Sequence, residues 1–364
     1  MYPSSRSSGI HAVVLAGSHG WGQSAFERLL PRPLLPVAHE PLVCHAVGWL
    51  GRSGIDRASV CTNMDVSSLQ EALGDGSHHG LSLDYATDPT PRGPGGCVRD
   101  ATRAVDCDTV VILDGTTIPS IDLQAVIETH EVCQAALTVV VHQEGFAQSR
   151  RWGALTPAGI YIVDRRVLES IPAKGFYDIK EGLIPDLHAR NERVVTHMAL
   201  GANPQILNAG TYLAVNNWMV ERIGREADAP RNYCASGQAL VHASARVAAG
   251  ARLVGPVIVG AQANVASGST IVGPAVVGER TNVAPGAVIS RSTTWKDCYV
   301  GEGAVVDQCI LADETLVAPE AAVFRSVMTD GGARGMQPRP LRVPTTSALP
   351  SLSPRAVARG RNGI

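Results

Sequence analysis

The sequence predicts two structural units in series, an α/β domain with a largely parallel sheet and then a parallel β-helix. Three observations predict this. Short β-branched runs alternate with helically spaced apolar residues through the first part of the chain. An apolar residue recurs every six positions through the second. With 364 residues and 45% hydrophobic side chains, the chain is large and apolar enough for two cores.

The first run, His11–Leu15 (HAVVL), ends in Ala16-Gly17 and reads as a strand entering a glycine turn. Pro41 to Arg52 places Leu42, Val43, Ala46, Val47, Trp49 and Leu50 at helical spacing, with Gly54 as the stop. Ala58–Cys61, Thr109–Leu113 and Ala136–Val141 read as further buried strands. Strands alternating with helices build a parallel sheet covered on both faces. Ligands of such sheets bind beyond the carboxyl ends of the strands, so Gly17–Gly22 and Asp114–Thr116 are expected at the edge of a site.

The second unit is read from its period. Val241, Val247, Leu253, Val259, Val265, Ile271, Val277, Val283, Ile289 and Trp295 follow one another at spacing six. After a phase shift, Val305, Leu311, Val317 and Val323 resume it. Small and turn-forming residues fill the gaps, as in VGPVIVGAQANVASG. Period six predicts short strands with tight corners, the repeated apolar residue inside the coil, and Trp295 filling extra space where the period slips. The expected divisions are a flexible start at 1–9, an α/β domain at 10–224, a linker at 225–238, the β-helix at 239–325 and a disordered tail at 326–364.

A formal net charge of −2 gives no electrostatic reason to expect nucleic acid or an anionic membrane as a partner. No apolar run approaches the roughly 20 residues of a membrane helix, and the polar start has no apolar signal segment, so a cytoplasmic location is expected. The eight cysteines form no CxxC pair and are expected to be reduced and mostly buried, with no zinc site.

The segment AVVLAGSHGWGQSAFERLLPRPLLPV, Ala12 to Val37, resembles the opening of the nucleotide-sugar pyrophosphorylases, whose pattern is LAGGxGTRLxPLTxxxPKPLLPV. The resemblance continues in order through PLVCHAVGWLGRSGI, PRGPGGCVRDA, VVILDGTTIPSIDL, AGIYIVDRRVLESIP, YDIKEGLIP and NAGTYLAVNNW, and with the repeat behind it spans roughly Ile10 to Val323. It implies a Rossmann-like nucleotidyltransferase domain joined to a left-handed hexapeptide β-helix. Members join a sugar 1-phosphate to a nucleoside triphosphate and release pyrophosphate. That chemistry is positioning and charge neutralisation, with a glycine turn for the triphosphate, cations on the phosphates and Mg²⁺ on carboxylates.

By this resemblance the nucleotide-binding positions are Leu15, Ala16, Gly17, Ser18, Gly20, Arg32, Gly93, Gly96, Asp114 and Gly115, and the sugar-phosphate positions are Gly159 and Asp178. Several positions depart from the pattern. Ser18 stands for a glycine, Trp21 for a threonine, and Gly22 for the arginine that meets the triphosphate. Arg32 stands for the PKP lysine, a planar fork in place of a point charge. Thr116 and Asn208 stand where the two metal-binding aspartates are expected, which leaves Asp114 as the remaining carboxylate candidate and no confident metal site. The FxEKP hairpin is missing between Gln143 and Pro157, and Pro157 replaces the asparagine of NAGIY.

The expectation is a non-catalytic or altered homologue that binds a nucleotide or nucleotide sugar, as a homo-oligomer or with an active paralogue. The alternative is an active Mg²⁺-dependent sugar-1-phosphate nucleotidyltransferase. His242 is expected at the surface rather than as an acyltransferase base, and His78-His79 as solvated. Asp178 is expected either to meet a sugar phosphate or to cap the helix that starts there.

Overall fold

The computed structural model describes residues 9–17, 26–88, 90–143, 155–199, 204–225 and 230–329. The first unit is a seven-stranded sheet of β1 (Ile10–Leu15), β2 (Arg57–Thr62), β3 (Ser82–Thr87), β4 (Thr109–Asp114), β5 (Leu137–Gln143), β6 (Leu155–Asp164) and β7 (Val194–Met198). Its spatial order is β3-β2-β1-β4-β6-β5-β7. Neighbours among β3, β2, β1 and β4 are parallel, β6 runs antiparallel to both β4 and β5, and β5 pairs parallel with β7. The β-branched runs read from the sequence form the central strands, with Ala12, Val13, Val14, Val110, Val111, Ile112 and Leu113 fully buried.

Both faces of the sheet are covered, as a parallel sheet requires. On one face lie α1 (Leu42–Arg52), α2 (Ser67–Leu73) and α4 (Leu123–Val132). On the other lie α3 (Gly93–Thr102), α5 (Arg165–Leu168) and α6 (Ile184–Ala189). A last helix, α7 (Ala209–Ile223), leaves the sheet and meets the repeat unit.

The repeat unit has three faces of short strands, seven on one and five on each of the others, all parallel except the first of the seven, consistent with a left-handed β-helix. Val259, Val265, Ile271, Val277, Val283 and Ile289 all point into its core. Two expectations fail beyond Ile289. Early coils pair residues eighteen apart, as Val259 with Val277, whereas Val283 pairs with Val300 and Ile289 with Val306, seventeen apart. One corner has lost a residue, and a one-residue shift turns a side chain to the opposite face of its strand. Thr294 therefore takes the buried place expected for Trp295, and Val306 the place expected for Val305, which is half-buried.

Trp295 instead faces outward, into the junction. Leu240, Ile258, Val276 and Ile310 form an outward apolar row on the seven-stranded face, and α7 covers it with Tyr212, Met219 and Ile223. Trp295 Nε1 donates to the Tyr212 hydroxyl at 2.7 Å, and that hydroxyl donates to the Pro36 carbonyl at 2.6 Å. The fully buried Asn216 accepts from Ala38 N at 2.8 Å and donates to Pro36 O at 3.2 Å. The two units are thus joined by a continuous core.

Two boundary expectations change as well. The 225–238 stretch holds a strand, Tyr233–Ser236, that pairs antiparallel with Ala239–His242 and starts the coil. The coil also outlasts Arg325, because Val327–Met328 pairs with Ile310–Leu311, again seventeen residues apart. The remainder of the expected tail, 330–364, and residues 1–8 lie outside the described residues. No helix among the described residues is long and apolar enough to cross a membrane.

Candidate functional site

The carboxyl ends of β1, β2 and β4 open onto a cleft of about 260 Å³. Of the residues expected from the sequence, Leu15, Gly17, Gly93, Asp114, Gly159 and Asp178 line it. β6 runs opposite to β4 and pairs Ile160 with Leu113, which brings Gly159 beside Asp114. Gly159 has φ +78°, and a Cβ there would lie 3.0 Å from the Asp114 Cβ and from Thr117 Cγ2, so glycine is required by both backbone and space. Gly93 has φ +74° and opens α3, and a Cβ there would meet the Tyr177 carbonyl at 2.7 Å.

Other expected residues do not line the cleft. Ala16 is fully buried, and its N–H donates to Cys61 O at 2.8 Å. Gly115 donates to Leu15 O at 3.0 Å and packs against β1. Gly96 lies beneath the Arg92 side chain, and its N–H and that of Gly95 are both taken by Tyr177 O. Those two amides are therefore not open to a phosphate. Ser18, Gly20, Trp21 and Gly22 fall outside the described residues, as does most of the 143–157 connection.

The side chains at the expected metal positions serve local roles. Thr116 donates to Asp114 Oδ1 twice, from its N–H at 2.9 Å and its hydroxyl at 2.7 Å. Asn208 caps α7, accepting from Thr211 N at 3.0 Å while the Thr211 hydroxyl accepts from Asn208 N at 2.9 Å. These two positions supply no carboxylate, and the adjacent Asp114 carries two hydrogen bonds on one oxygen. Among the described residues, no group of three or more His, Cys, Asp and Glu could hold a metal ion. Arg32, half-buried in the short turn Arg32–Leu34, instead brings positive charge to this carboxylate. Burial lowers the Arg32 pKa and the Asp114 charge works against that, leaving the guanidinium charged.

Asp178 takes the capping role and also borders the cleft. It caps the π-helical turn Ile179–Leu183, accepting from Lys180 N at 2.6 Å and Glu181 N at 3.0 Å. Tyr161 on β6 is almost fully buried, and burial, with the charges of Asp178 and Asp114, raises its pKa well above the usual value. It remains a neutral hydroxyl.

Sequence reasoning missed Lys180, Asn63, Asp88, Thr62 and Cys97, all of which line the cleft. Lys180 is the notable one, because the opening segment has no lysine and the cation comes from a distant turn. The YDIKEGLIP segment carried the signal. Asp88 holds the entrance of α3, accepting from Arg92 N at 2.8 Å and from the Cys97 thiol at 3.1 Å. Burial and this carboxylate keep the Cys97 and Cys61 thiols protonated, Cys61 being pushed up to about 12, so neither is a nucleophile. His242 is half-buried and pairs with Ser244 at 2.9 Å, far from an acyltransferase base in character.

The sequence profile of the Nucleotidyl transferase family matches residues 11–171, which span the sheet through β6 and both glycine-bearing edges of the cleft. Over these residues the first unit is similar to the Nucleotidyl transferase family. The chain is 24% identical over 269 residues to the mannose-1-phosphate guanylyltransferase of Mycobacterium tuberculosis (strain ATCC 25618 / H37Rv), covering 68% of this chain and 74% of that one. It is 28% identical over 132 residues to the D-glycero-alpha-D-manno-heptose 1-phosphate guanylyltransferase of Aneurinibacillus thermoaerophilus, covering 36% and 57% respectively. A glucose-1-phosphate thymidylyltransferase of Mycobacterium tuberculosis (strain CDC 1551 / Oshkosh) is 26% identical over 198 residues, covering 47% and 69%. Similarity to nucleotidyltransferases of several sugar 1-phosphates fits a cleft lined by carboxylates, amides and a lysine.

Proposed function

We propose that this nucleotidyl transferase domain binds a nucleotide or nucleotide sugar in the cleft and transfers nucleotidyl groups weakly or not at all. One observation carries the reading. The side chains at the two positions the resemblance assigns to metal-binding aspartates, Thr116 and Asn208, are uncharged and engaged in local hydrogen bonds. A triphosphate and Mg²⁺ need compensating carboxylates; beside those two positions only Asp114 remains, with Arg32 acting on it, and the cleft's other carboxylates, Asp88 and Asp178, accept hydrogen bonds from their own turns. Lys180 still offers positive charge for a phosphate in the cleft, and Asn63 and Asp178 offer polar groups for a sugar or base.

The β-helix is read as an assembly surface, for a second copy or an active paralogue. Val254 and Phe324 on one face, and the register-matched Tyr299 and Leu316 on another, are large apolar side chains exposed to between 41% and 53%. Light scattering at tens of micromolar that gives a monomer, with no paralogue retained in a pull-down, contradicts this part.

Lys180 and Asp114, which both line the cleft, favour a second reading, an active sugar-1-phosphate nucleotidyltransferase. The test separates the two. The chain is assayed for pyrophosphate release with Mg²⁺, using GTP with mannose 1-phosphate, dTTP with glucose 1-phosphate and the other common pairs, while calorimetry measures binding of the matching nucleotide sugars. Binding without release supports the first reading; release supports the second.

A further inference from the structure

A second cavity, about 940 Å³, lies where the first unit meets the coil, and it shares no lining residue with the cleft. Chain segments far apart in sequence bring cations to it. Arg52 comes from the last turn of α1, Arg222 from the last turn of α7, and Arg231 from the segment just before the coil. His39, His45, His78 and His79 complete the ring, and among the described lining residues Glu40 is the one carboxylate. The pair expected to be solvated, His78-His79, thus forms one wall of a cavity.

Among the described lining residues, three arginines face the single carboxylate Glu40. His45 is fully enclosed, with Nε2 3.0 Å from Val37 O and Nδ1 3.1 Å from Glu40 Oε1. Two acceptors on one ring call for hydrogen on both nitrogens or on Glu40. Burial, with Arg52, Arg222 and His79, nevertheless drives the ring toward neutrality, to about 4. The geometry asks for a proton that the arginines repel, and an anion in the cavity would relieve that conflict. His39 adds a buried Nδ1 with no hydrogen-bond partner. Arg231 Nη1 faces His78 Nδ1 at 3.4 Å, so both side chains are already gathered at one wall.

We propose that this cavity binds a phosphate-bearing small molecule, its phosphate held by Arg52, Arg231 and the His78-His79 turn. Arginine forks match phosphate oxygens in pairs, and the volume suits a phosphorylated metabolite rather than a bare ion. The site is separate from the cleft, and the proposal stands whether or not the cleft catalyses transfer.

The test is calorimetric titration of the full chain with inorganic phosphate at pH 6.5 without Mg²⁺, repeated on Arg231→Gln, Arg52→Gln and Lys180→Ala. Arg231 is exposed and its replacement leaves the core untouched, so this variant decides the matter if Arg52→Gln fails to fold. One saturable site is expected, weakened by about tenfold or more in the arginine variants, as for loss of a charge-assisted hydrogen bond, and unchanged in Lys180→Ala. No saturable binding up to about 10 mM phosphate overturns the proposal. Binding weakened by Lys180→Ala and indifferent to Arg231→Gln overturns it too, because the cleft would then be the site.

Discussion

Thr116→Asp turns the reading of the cleft into a measurable response to Mg²⁺. The Thr116 hydroxyl sits 2.7 Å from Asp114 Oδ1, so an aspartate there brings a second carboxylate to about hydrogen-bond distance from the first. Two unit charges about 3–4 Å apart repel by roughly 4–5 kcal/mol at an effective dielectric near 20. Rotation of the new side chain and the charge of Arg32 relieve most of this, leaving an expected destabilisation of about 1–2 kcal/mol without metal. A divalent cation between the carboxylates removes the repulsion. If it binds about a hundredfold more tightly than the concentration supplied, the folded state gains roughly 2.7 kcal/mol. The assay is thermal unfolding of wild type and variant from zero to about 10 mM Mg²⁺. The variant should melt lower than wild type without metal and rise by about 5 °C or more with it, while wild type shifts by less than about 1 °C. A wild-type shift as large as the variant's would refute the reasoning, because it would mean that the native donors already hold the ion.

Other expectations follow from the same contacts. Tyr212→Phe should cost about 1–3 kcal/mol, since it strands the buried Trp295 indole N–H, and Tyr212→Phe with Trp295→Phe should cost less than the two single changes added; strict additivity in denaturant titrations removes the junction bond from the account. Lys180→Ala should weaken nucleotide binding by about tenfold, and an unchanged affinity would take this lysine out of the site. Burial lowers the pKa of His11, whose Nε2 meets Ser59 Oγ at 2.9 Å, below its usual 6.5. The unfolded chain then binds the proton more readily, so this stability is present above about pH 6.5 and is lost as pH falls toward the folded value. Denaturation midpoints of His11→Gln between pH 8 and 5 should fall less steeply than those of wild type; equal slopes would contradict the assignment.

Legibility in the sequence varied with the length of the signal. The coil was visible because a strict period leaves few alternatives, and Val259 through Ile289 sit inside as their spacing implies. The same strictness misled at Trp295, where one missing corner residue moves the inward place to Thr294, and a large aromatic at a formally inward position belongs to the junction. The triplets Val257-Ile258-Val259 and Ala275-Val276-Val277 carried that signal, since a strand apolar on both faces is buried on both. In the cleft, positions fixed by backbone geometry, such as Gly93 and Gly159, were reached through the resemblance. Lys180, Asn63 and Asp88 were not, because their meeting depends on where distant turns end. The arginine–histidine cavity was beyond the sequence for the same reason: His78, Arg52, Arg222 and Arg231 share no motif and meet only at the boundary between units.

The central claim is that Thr116 and Asn208 leave a nucleotide-binding cleft without the carboxylates that transfer requires. Steady-state pyrophosphate release by the wild-type chain, with saturating Mg²⁺, triphosphate and sugar 1-phosphate, tests it most directly. No release above the uncatalysed background is predicted for any pair, in the same preparation that binds a nucleotide sugar. Turnover at about 1 s⁻¹ or faster, the ordinary range of working enzymes, would contradict the account.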